Sequence, residues 1–298
     1  MSSTVKSSFS LSHTVQDFKA VTKMGLSLSV VFSSLAGYLL GAETVNFTTL
    51  ILLAFGGYFM VGASNVFNQI IERDYDALME RTKDRPIPAG RMTVRTAFIL
   101  ASILTLLGVG ILYSINPKTA MFAAISIFLY TSAYTPLKTI TPLSVFVGAI
   151  PGAIPFMLGW VAATNDFGIE PGTLFMLQFF WQFPHFWAIG WFLHDDYQKA
   201  GFNMLPTGKR DKATAVQAIL YTVWTIIVSI IPVFGFTGEL RLTIVGAAAV
   251  LIVGLVMLYY AVQLFKKMSV IAARQLMLAS VLYITLVQII YVLDKFIR

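Results

Sequence analysis

Apolar stretches long enough to cross a bilayer recur nine times along this chain, at 24–42, 47–71, 97–115, 119–135, 143–163, 172–193, 214–236, 242–265 and 276–293. A hydrocarbon core about 30 Å thick takes roughly 20 apolar residues in a helix. Backbone groups in lipid find no water, so only helices or closed barrels cross it. Strand-type alternation is absent, which argues against a barrel. A chain that is 57% hydrophobic and only 12% charged, with a mean hydropathy of +0.77, lies outside the range of soluble globular domains. The expectation is an all-α integral membrane protein with about nine transmembrane helices. It forms one polytopic unit over 1–298, with a flexible cytoplasmic N-terminus over 1–20.

The basic residues orient it. Lys6, Lys19 and Lys23 precede the first span, and Arg73, Arg81, Lys83, Arg85, Arg91 and Arg95 lie between the second and third. With Lys138, Lys199, Lys209, Arg210, Lys212, Lys266, Lys267 and Arg274 they place 17 of the 21 Lys/Arg on one side. Lys118, Arg241, Lys295 and Arg298 fall on the other. The positive-inside rule then puts the N-terminus in the cytoplasm and the C-terminus outside. The net charge of +7 follows from loops that face anionic lipid and calls for no nucleic-acid partner. Cysteine is absent, so thiolate metal sites and cysteine catalysis are excluded. The first 20 residues lack the apolar core of a cleaved signal, and a prokaryotic plasma membrane is the expected location.

Two cytoplasmic loops are long, 72–96 and 194–213, and each begins with acidic residues after an even-numbered span. This order hints at an internal duplication. The fifth span carries Pro151 and Pro155, each of which removes a backbone donor. They are expected to kink or break the helix there.

Residues 65–91, NVFNQIIERDYDALMERTKDRPIPAGR, hold the densest polar pattern. Asn68, Glu72 and Asp76 recur every fourth residue, which stacks three oxygen ligands on one helical face. Hard divalent cations such as Mg²⁺ take oxygen ligands and are shared with substrate phosphates. Arg81, Lys83, Arg85 and Arg91 supply charge-assisted hydrogen bonds to phosphate if the loop folds back, and Arg73 is a further substrate-binding candidate. Charge runs are commonly solvated surface. Here Asn65, Asn68 and Gln69 sit deeper, inside the apolar run, and buried amides in a membrane helix call for a polar cavity.

A second constellation is WQFPHFWAIGWFLHDDYQKAG at 181–201. His185 and Asp196 are eleven residues apart, three helical turns, and so are expected to share a face. Asp195 adjoins, and Lys199 lies one turn further. Each alone is equally a packed histidine or a surface acid. In YTSAYTPLK at 130–138, Tyr130 and Tyr134 share a face and Lys138 ends the span. They are either interfacial anchors or an aromatic wall with a phosphate-binding lysine at its mouth. Aromatic faces also stabilise cations.

These motifs carry a resemblance. The stretch N-x-x-x-E-R-D-x-D at 68–76 with MERTKDRPIP at 79–88 resembles the first signature of the UbiA superfamily of intramembrane prenyltransferases. ERTKDRP, YTPLK at 134–138, the 181–201 segment and MLP at 204–206 resemble its haem-modifying branch. The resemblance implies nine helices around a central cavity open to lipid. It implies transfer of farnesyl from farnesyl diphosphate to a vinyl group of haem B, with Mg²⁺ as cofactor and membrane lipid as surroundings. The product then serves haem–copper oxidase assembly, with haem A synthase as an expected partner. Asn68, Glu72 and Asp76 match the first metal–diphosphate motif, Asp196 and Asp195 the second, and Arg81, Arg85 and Lys138 the diphosphate contacts. His185 matches the histidine associated with haem. Many members carry Asn in the 141–145 region, where this chain has Ser144.

Two other functions compete. One is prenyl transfer to an aromatic quinone precursor, against which the histidine segment argues. The other is secondary transport of an anion, which fits a broken fifth span and weak repetition. A transporter puts its polar site near the midplane, whereas the acidic groups here gather at one surface.

Overall fold

The computed structural model describes residues 11–298, and no strand occurs among them. The chain starts with α1 (Leu11–Val21) and continues through α2 (Met24–Gly41), α3 (Phe47–Ile71) and the single turn α4 (Arg73–Asp76). After a loop come α5 (Val94–Ile115) and α6 (Pro117–Phe128), which runs through a π-helical segment, Leu129–Tyr134, into α7 (Thr135–Leu137). Then follow α8 (Ser144–Thr164), α9 (Ile169–Phe192), the short α10 (His194–Lys199) and α11 (Lys212–Ile230). The long α12 (Ile244–Lys267) and α13 (Val270–Ile297) complete the bundle.

The starts of these helices are written locally. Asn46, Thr93, Asn116, Asp211, Thr243 and Ser269 each accept a hydrogen bond from the backbone N–H three residues on. Each satisfies one of the donors that a helix N-terminus leaves orphaned. Pro117 follows Asn116 at the first helical position, where a missing N–H costs nothing.

Among the described residues, eight helices are long and apolar enough to cross a membrane. The exception is α9, which spans 24 residues but carries Glu170, Gln178, Gln182 and His185 among its aromatics. The count of nine thus stands by length, while by hydropathy one span falls short. Of the polar residues that lower it, Gln178 and Gln182 are buried.

The stretch expected to be flexible covers 1–20. Residues 1–10 lie outside the described residues, but Leu11 onwards is helical. This helix is tied to α3 because Gln69 Nε2 donates to the Val21 carbonyl at 2.6 Å. Arg91 also pairs with Asp17 at 3.0 Å.

The fifth span is deeply enclosed, with most of its residues buried. Its prolines do not break it: α8 is continuous from Ser144 to Thr164. Pro155 has no N–H to give the Pro151 carbonyl, and Ser126 Oγ of α6 donates to that carbonyl instead, at 3.1 Å. A neighbour thus satisfies the freed group, as lipid demands. Close packing of α2 on α8 depends on two glycines. A Cβ on Gly159 would lie 1.9 Å from the Ser34 carbonyl oxygen, and one on Gly37 would lie 2.0 Å from that of Phe156. Small residues at a helix crossing let backbones approach where no hydrophobic force acts between helices.

The last long helix returns to the first. Lys295 Nζ of α13 donates to the carbonyls of Leu39, Leu40 and Ala42 at 2.6–3.0 Å, capping the end of α2. The other end of α2 adjoins Lys23 and the polar cluster described below. The C-terminus and the cluster therefore lie at opposite ends of a helix about 27 Å long. A mainly apolar cavity of about 40 Å³ lies among α2, α3, α5, α6 and α8, lined by Val31, Met60, Leu112, Ile127, Ile154 and Leu158.

Candidate active site

The predicted row of ligands survives a change of helix. The main helix α3 ends at Ile71, yet Glu72 N still bonds the Asn68 carbonyl at 2.9 Å and Asp76 N the Glu72 carbonyl at 2.7 Å. The four-residue stagger is preserved through α4. Asn68, Glu72 and Asp76 are all buried, at 1%, 4% and 0% exposure.

Burying two carboxylates is costly unless cations meet them, and two do, with a third beside them. Lys138 Nζ lies 2.7 Å from Glu72 Oε1. Arg85 folds back from the 72–96 loop to Asp76 Oδ2 at 2.7 Å. Lys23 Nζ reaches Asn68 Oδ1 at 3.5 Å. The Asn68 amide is oriented by its other side, since Nδ2 donates to Thr135 Oγ1 at 3.2 Å. Thr135 can accept because its own proton goes to the Tyr130 carbonyl at 2.8 Å. The amide oxygen therefore faces the cations.

The charges respond to this crowding. Burial pushes the Asp76 carboxyl up from the ordinary value, against the pull of Arg85. Burial, reinforced by repulsion from Arg85 and Lys138, brings Lys23 down to about 7. Burial also pulls Lys138 down, but Glu72 and Tyr130 more than offset it, and Lys138 stays above the ordinary lysine value. Three basic groups around two carboxylates leave the cluster ready for an anion.

Aromatic rings roof it. Tyr130 and Tyr134 lie 5.2 Å apart by ring centroids, on the π-helical segment. The Lys138 ammonium stands 4.5 Å over Tyr134 and 5.6 Å from Phe202. Gly148 of α8 makes room for Tyr134, for a Cβ there would meet the ring at 2.5 Å.

The second motif meets the first as a clasp. Asp196 accepts hydrogen bonds from the backbone N–H of Glu80 at 2.9 Å and of Arg81 at 3.3 Å, and pairs with Lys199 at 3.4 Å. Tyr75 packs on Phe202 at 5.7 Å, and Arg81 stands 6.0 Å from the Tyr197 ring. Asn203 N donates to the Lys138 carbonyl at 2.8 Å. The two long loops thus close on each other beside the cluster. Desolvation raises the Asp196 carboxyl, but the Glu80 and Arg81 N–H groups and Lys199 outweigh it and hold it below the usual value. The depressed folded pKa means the clasp is at full strength above the ordinary aspartate pKa. It is lost only as pH falls below that value and through the folded one. Asp196→Ala is expected to raise the KM for the anionic substrate severalfold and to increase protease cutting within 72–96. Limited proteolysis and initial-rate kinetics check this.

Other candidates stand apart. His185 and Asp196 fall on separate elements, since Leu193 (φ −99°, ψ 9°) divides α9 from α10, although Leu193 N still bonds the Ile189 carbonyl at 3.0 Å and Tyr197 N the Leu193 carbonyl at 2.9 Å. Asp195 turns outward to Arg210 at 3.1 Å. Arg73 pairs with exposed Asp74 at 3.3 Å, and Lys83 with exposed Glu80. His185 lies between α9 and α13, where its Nδ1 is 2.8 Å from Ser280 Oγ. Sequence reasoning missed Lys23 and Thr135 as parts of the cluster. A lysine directly abutting an apolar span was the available signal, because such a group seeks a buried acid.

The cluster suits a hard divalent ion. Asp76 Oδ1 is buried without a hydrogen-bond partner, while Oδ2 serves Arg85. Among the described residues no three His, Cys, Asp or Glu side chains form a metal cage of their own. Two carboxylates and an amide oxygen fit an ion that keeps waters and shares substrate oxygens, as Mg²⁺ does.

The profile of the UbiA prenyltransferase family matches residues 30–286, nearly all of the membrane bundle. The chain belongs to this family. A protoheme IX farnesyltransferase of Christiangramia forsetii is 70% identical over 284 residues, covering 95% of each chain. The fold agrees with solved UbiA-type structures. A digeranylgeranylglyceryl phosphate synthase superposes with a TM-score of 0.77 at 18% identity, over 95% of this chain and 98% of that one. A UbiA homologue of Archaeoglobus fulgidus bound to GPP and Mg²⁺ gives 0.68 at 14%, over 92% and 99%. The UbiA-family chain described here is thus a polytopic membrane prenyltransferase, and the buried cluster at one end of its bundle is its candidate active site.

Proposed function

We propose that this prenyltransferase moves farnesyl from farnesyl diphosphate to a vinyl carbon of haem B, giving haem O and diphosphate. Its 70% identity across 95% of a protoheme IX farnesyltransferase is the observation that carries this reading. Asn68, Glu72 and Asp76 hold Mg²⁺ with the diphosphate, and the unpartnered Asp76 Oδ1 supports that assignment. Bound there, the ion supplies Lewis-acid stabilisation of the leaving group. The roles of Asp196 and Asp195 differ in this reading. Asp196 closes the clasp and lies near the diphosphate, whereas Asp195 fastens the 194–213 loop through Arg210.

The chain's own residues do the remaining work. Lys23, Arg85 and Lys138 take up the charge of the departing diphosphate, and Arg81 and Lys199 bring further positive charge at the clasp. The C–O bond of the allylic diphosphate breaks with its electron pair on oxygen. The vinyl π electrons then form the new carbon–carbon bond. Water adds to the other vinyl carbon and loses a proton. Tyr130 and Tyr134 offer π faces to the allylic cation, and the closed loops limit its capture by water beforehand. No protein nucleophile is required.

The unit works as a single domain in a prokaryotic plasma membrane, with the cluster end cytoplasmic and the C-terminus outside. Lys295 at the end of α2 remote from the cluster supports this, together with the basic loops. The product passes toward oxidase assembly, with haem A synthase as the receiving partner.

Incubation of the purified protein with farnesyl diphosphate, Mg²⁺ and haem B is expected to give a farnesylated haem by mass spectrometry. Replacing haem with 4-hydroxybenzoate yields no product, and EDTA abolishes turnover until Mg²⁺ is restored. Prenylated 4-hydroxybenzoate with unchanged haem would overturn the assignment.

A further inference from the structure

His185 is the single histidine within the long helices of the described chain. It is half-buried on α9, stacked on Trp181 with ring centroids 4.7 Å apart and planes 20° apart. Phe186 meets the imidazole edge-on at 5.5 Å. On α13, Ser280 Oγ lies 2.8 Å from His185 Nδ1. A hydroxyl has one proton to give. That of Ser280 goes to the Met277 carbonyl, one turn back on the same helix, at 2.6 Å. The contact with His185 must then run the other way, with Nδ1–H donating and Ser280 Oγ accepting. Trp181 Nε1 donates to the Ser280 backbone carbonyl at 2.6 Å, so the stacking ring is held by the same residue.

A neutral imidazole protonated at Nδ1 carries its lone pair at Nε2. It cannot donate from Nε2, so it makes a poor partner for a carboxylate or a second carbonyl. It makes a good ligand for a metal. Fixing the tautomer and plane of an imidazole through its other nitrogen is how proteins orient metal-binding histidines. A neutral imidazole is also a common ligand of haem iron.

The geometry points to Ser280 as a positioning residue that presents His185 Nε2 to the iron of the haem acceptor during prenyl transfer. Trp181 then serves as the flat stop against which the imidazole is set. This inference rests on haem B being the acceptor, and it assigns His185 to the iron rather than to a propionate. It places the acceptor against α9 and α13, apart from the diphosphate cluster on α3 and α4. The two substrates are then gripped by different halves of the bundle.

The test uses the full chain in lipid nanodiscs titrated with ferric haem B, read by absorbance and electron paramagnetic resonance. The wild type is expected to show an imidazole-ligated haem. Ser280→Ala keeps the carbonyl that holds Trp181 but removes the acceptor at Nδ1. It should weaken haem binding on the order of tenfold and broaden the ligand-field signature, raising the KM for haem more than it lowers kcat. His185→Asn keeps a donor toward Ser280 while deleting Nε2, and so preserves the α9–α13 contact. It should lose the imidazole signature entirely, while binding of farnesyl diphosphate with Mg²⁺ stays intact. Added imidazole should restore the signature in His185→Ala. Identical haem spectra and affinities in wild type and His185→Asn would overturn the inference, as would an unchanged spectrum in Ser280→Ala. The assignment of the acceptor fails separately, if the wild type yields no farnesylated haem.

Discussion

Asp76→Asn is expected to lower prenyl transfer by about three orders of magnitude without unfolding the protein. The size follows from losing several kcal/mol of metal-borne stabilisation of the leaving group, with each 1.36 kcal/mol worth about tenfold. Asparagine keeps the volume and an oxygen for Arg85 but removes the charge that a divalent ion needs. The same change leaves Arg85 without its anion, so some loss of stability accompanies the loss of activity. Measuring Mg²⁺ dependence separates the two. The variant should no longer respond to Mg²⁺ across the millimolar range, while its thermal midpoint shifts modestly. Turnover close to wild type would remove Asp76 from the metal site.

Lys138→Met should act differently, through stability as much as catalysis. It deletes the partner of Glu72, a carboxylate 4% exposed, and leaves that charge buried alone. Breaking one side of a buried pair costs about 3–5 kcal/mol. Replacing both sides by neutral groups of similar shape is commonly near neutral. The double variant Glu72→Gln/Lys138→Met is therefore expected to recover most of the thermal stability lost in the single one. It should recover no activity, because both the ligand and the diphosphate contact are gone. A double-mutant cycle on unfolding, paired with turnover, reads both effects. If Lys138→Met alone leaves stability and activity unchanged, the Glu72 contact is no more than a surface pair.

What the sequence discloses of this molecule depends on the range of the physics involved. Span positions follow from local apolar runs, and helix starts from caps such as Asn116 and Asp211, so both were legible. The Asn68, Glu72, Asp76 row was legible because a four-residue stagger is a local property and persists even where α3 gives way to α4. Arg85 and Lys138 were named as diphosphate contacts, but their pairing with Asp76 and Glu72 was not visible, since it depends on loop closure across tens of residues. Lys23 was counted only as a topological charge. His185 and Asp196 lie on either side of Leu193, and each finds its own long-range partner, Ser280 for the one and the Glu80–Arg81 backbone for the other, which spacing alone does not disclose. The unbroken α8 shows the converse, for two prolines read as a kink or break leave the helix continuous, and the carbonyl that Pro155 frees is met by a serine from another helix.

The π-helical segment at Leu129–Tyr134 has a bearing on where Lys138 points. An added residue in one turn advances the following chain by about 100° around the axis. Counting at the regular pitch from Tyr130 would aim the lysine toward a different neighbour. The widened turn acts as a phase shifter, and the carboxylate partner of this lysine is chosen by winding rather than by sequence distance.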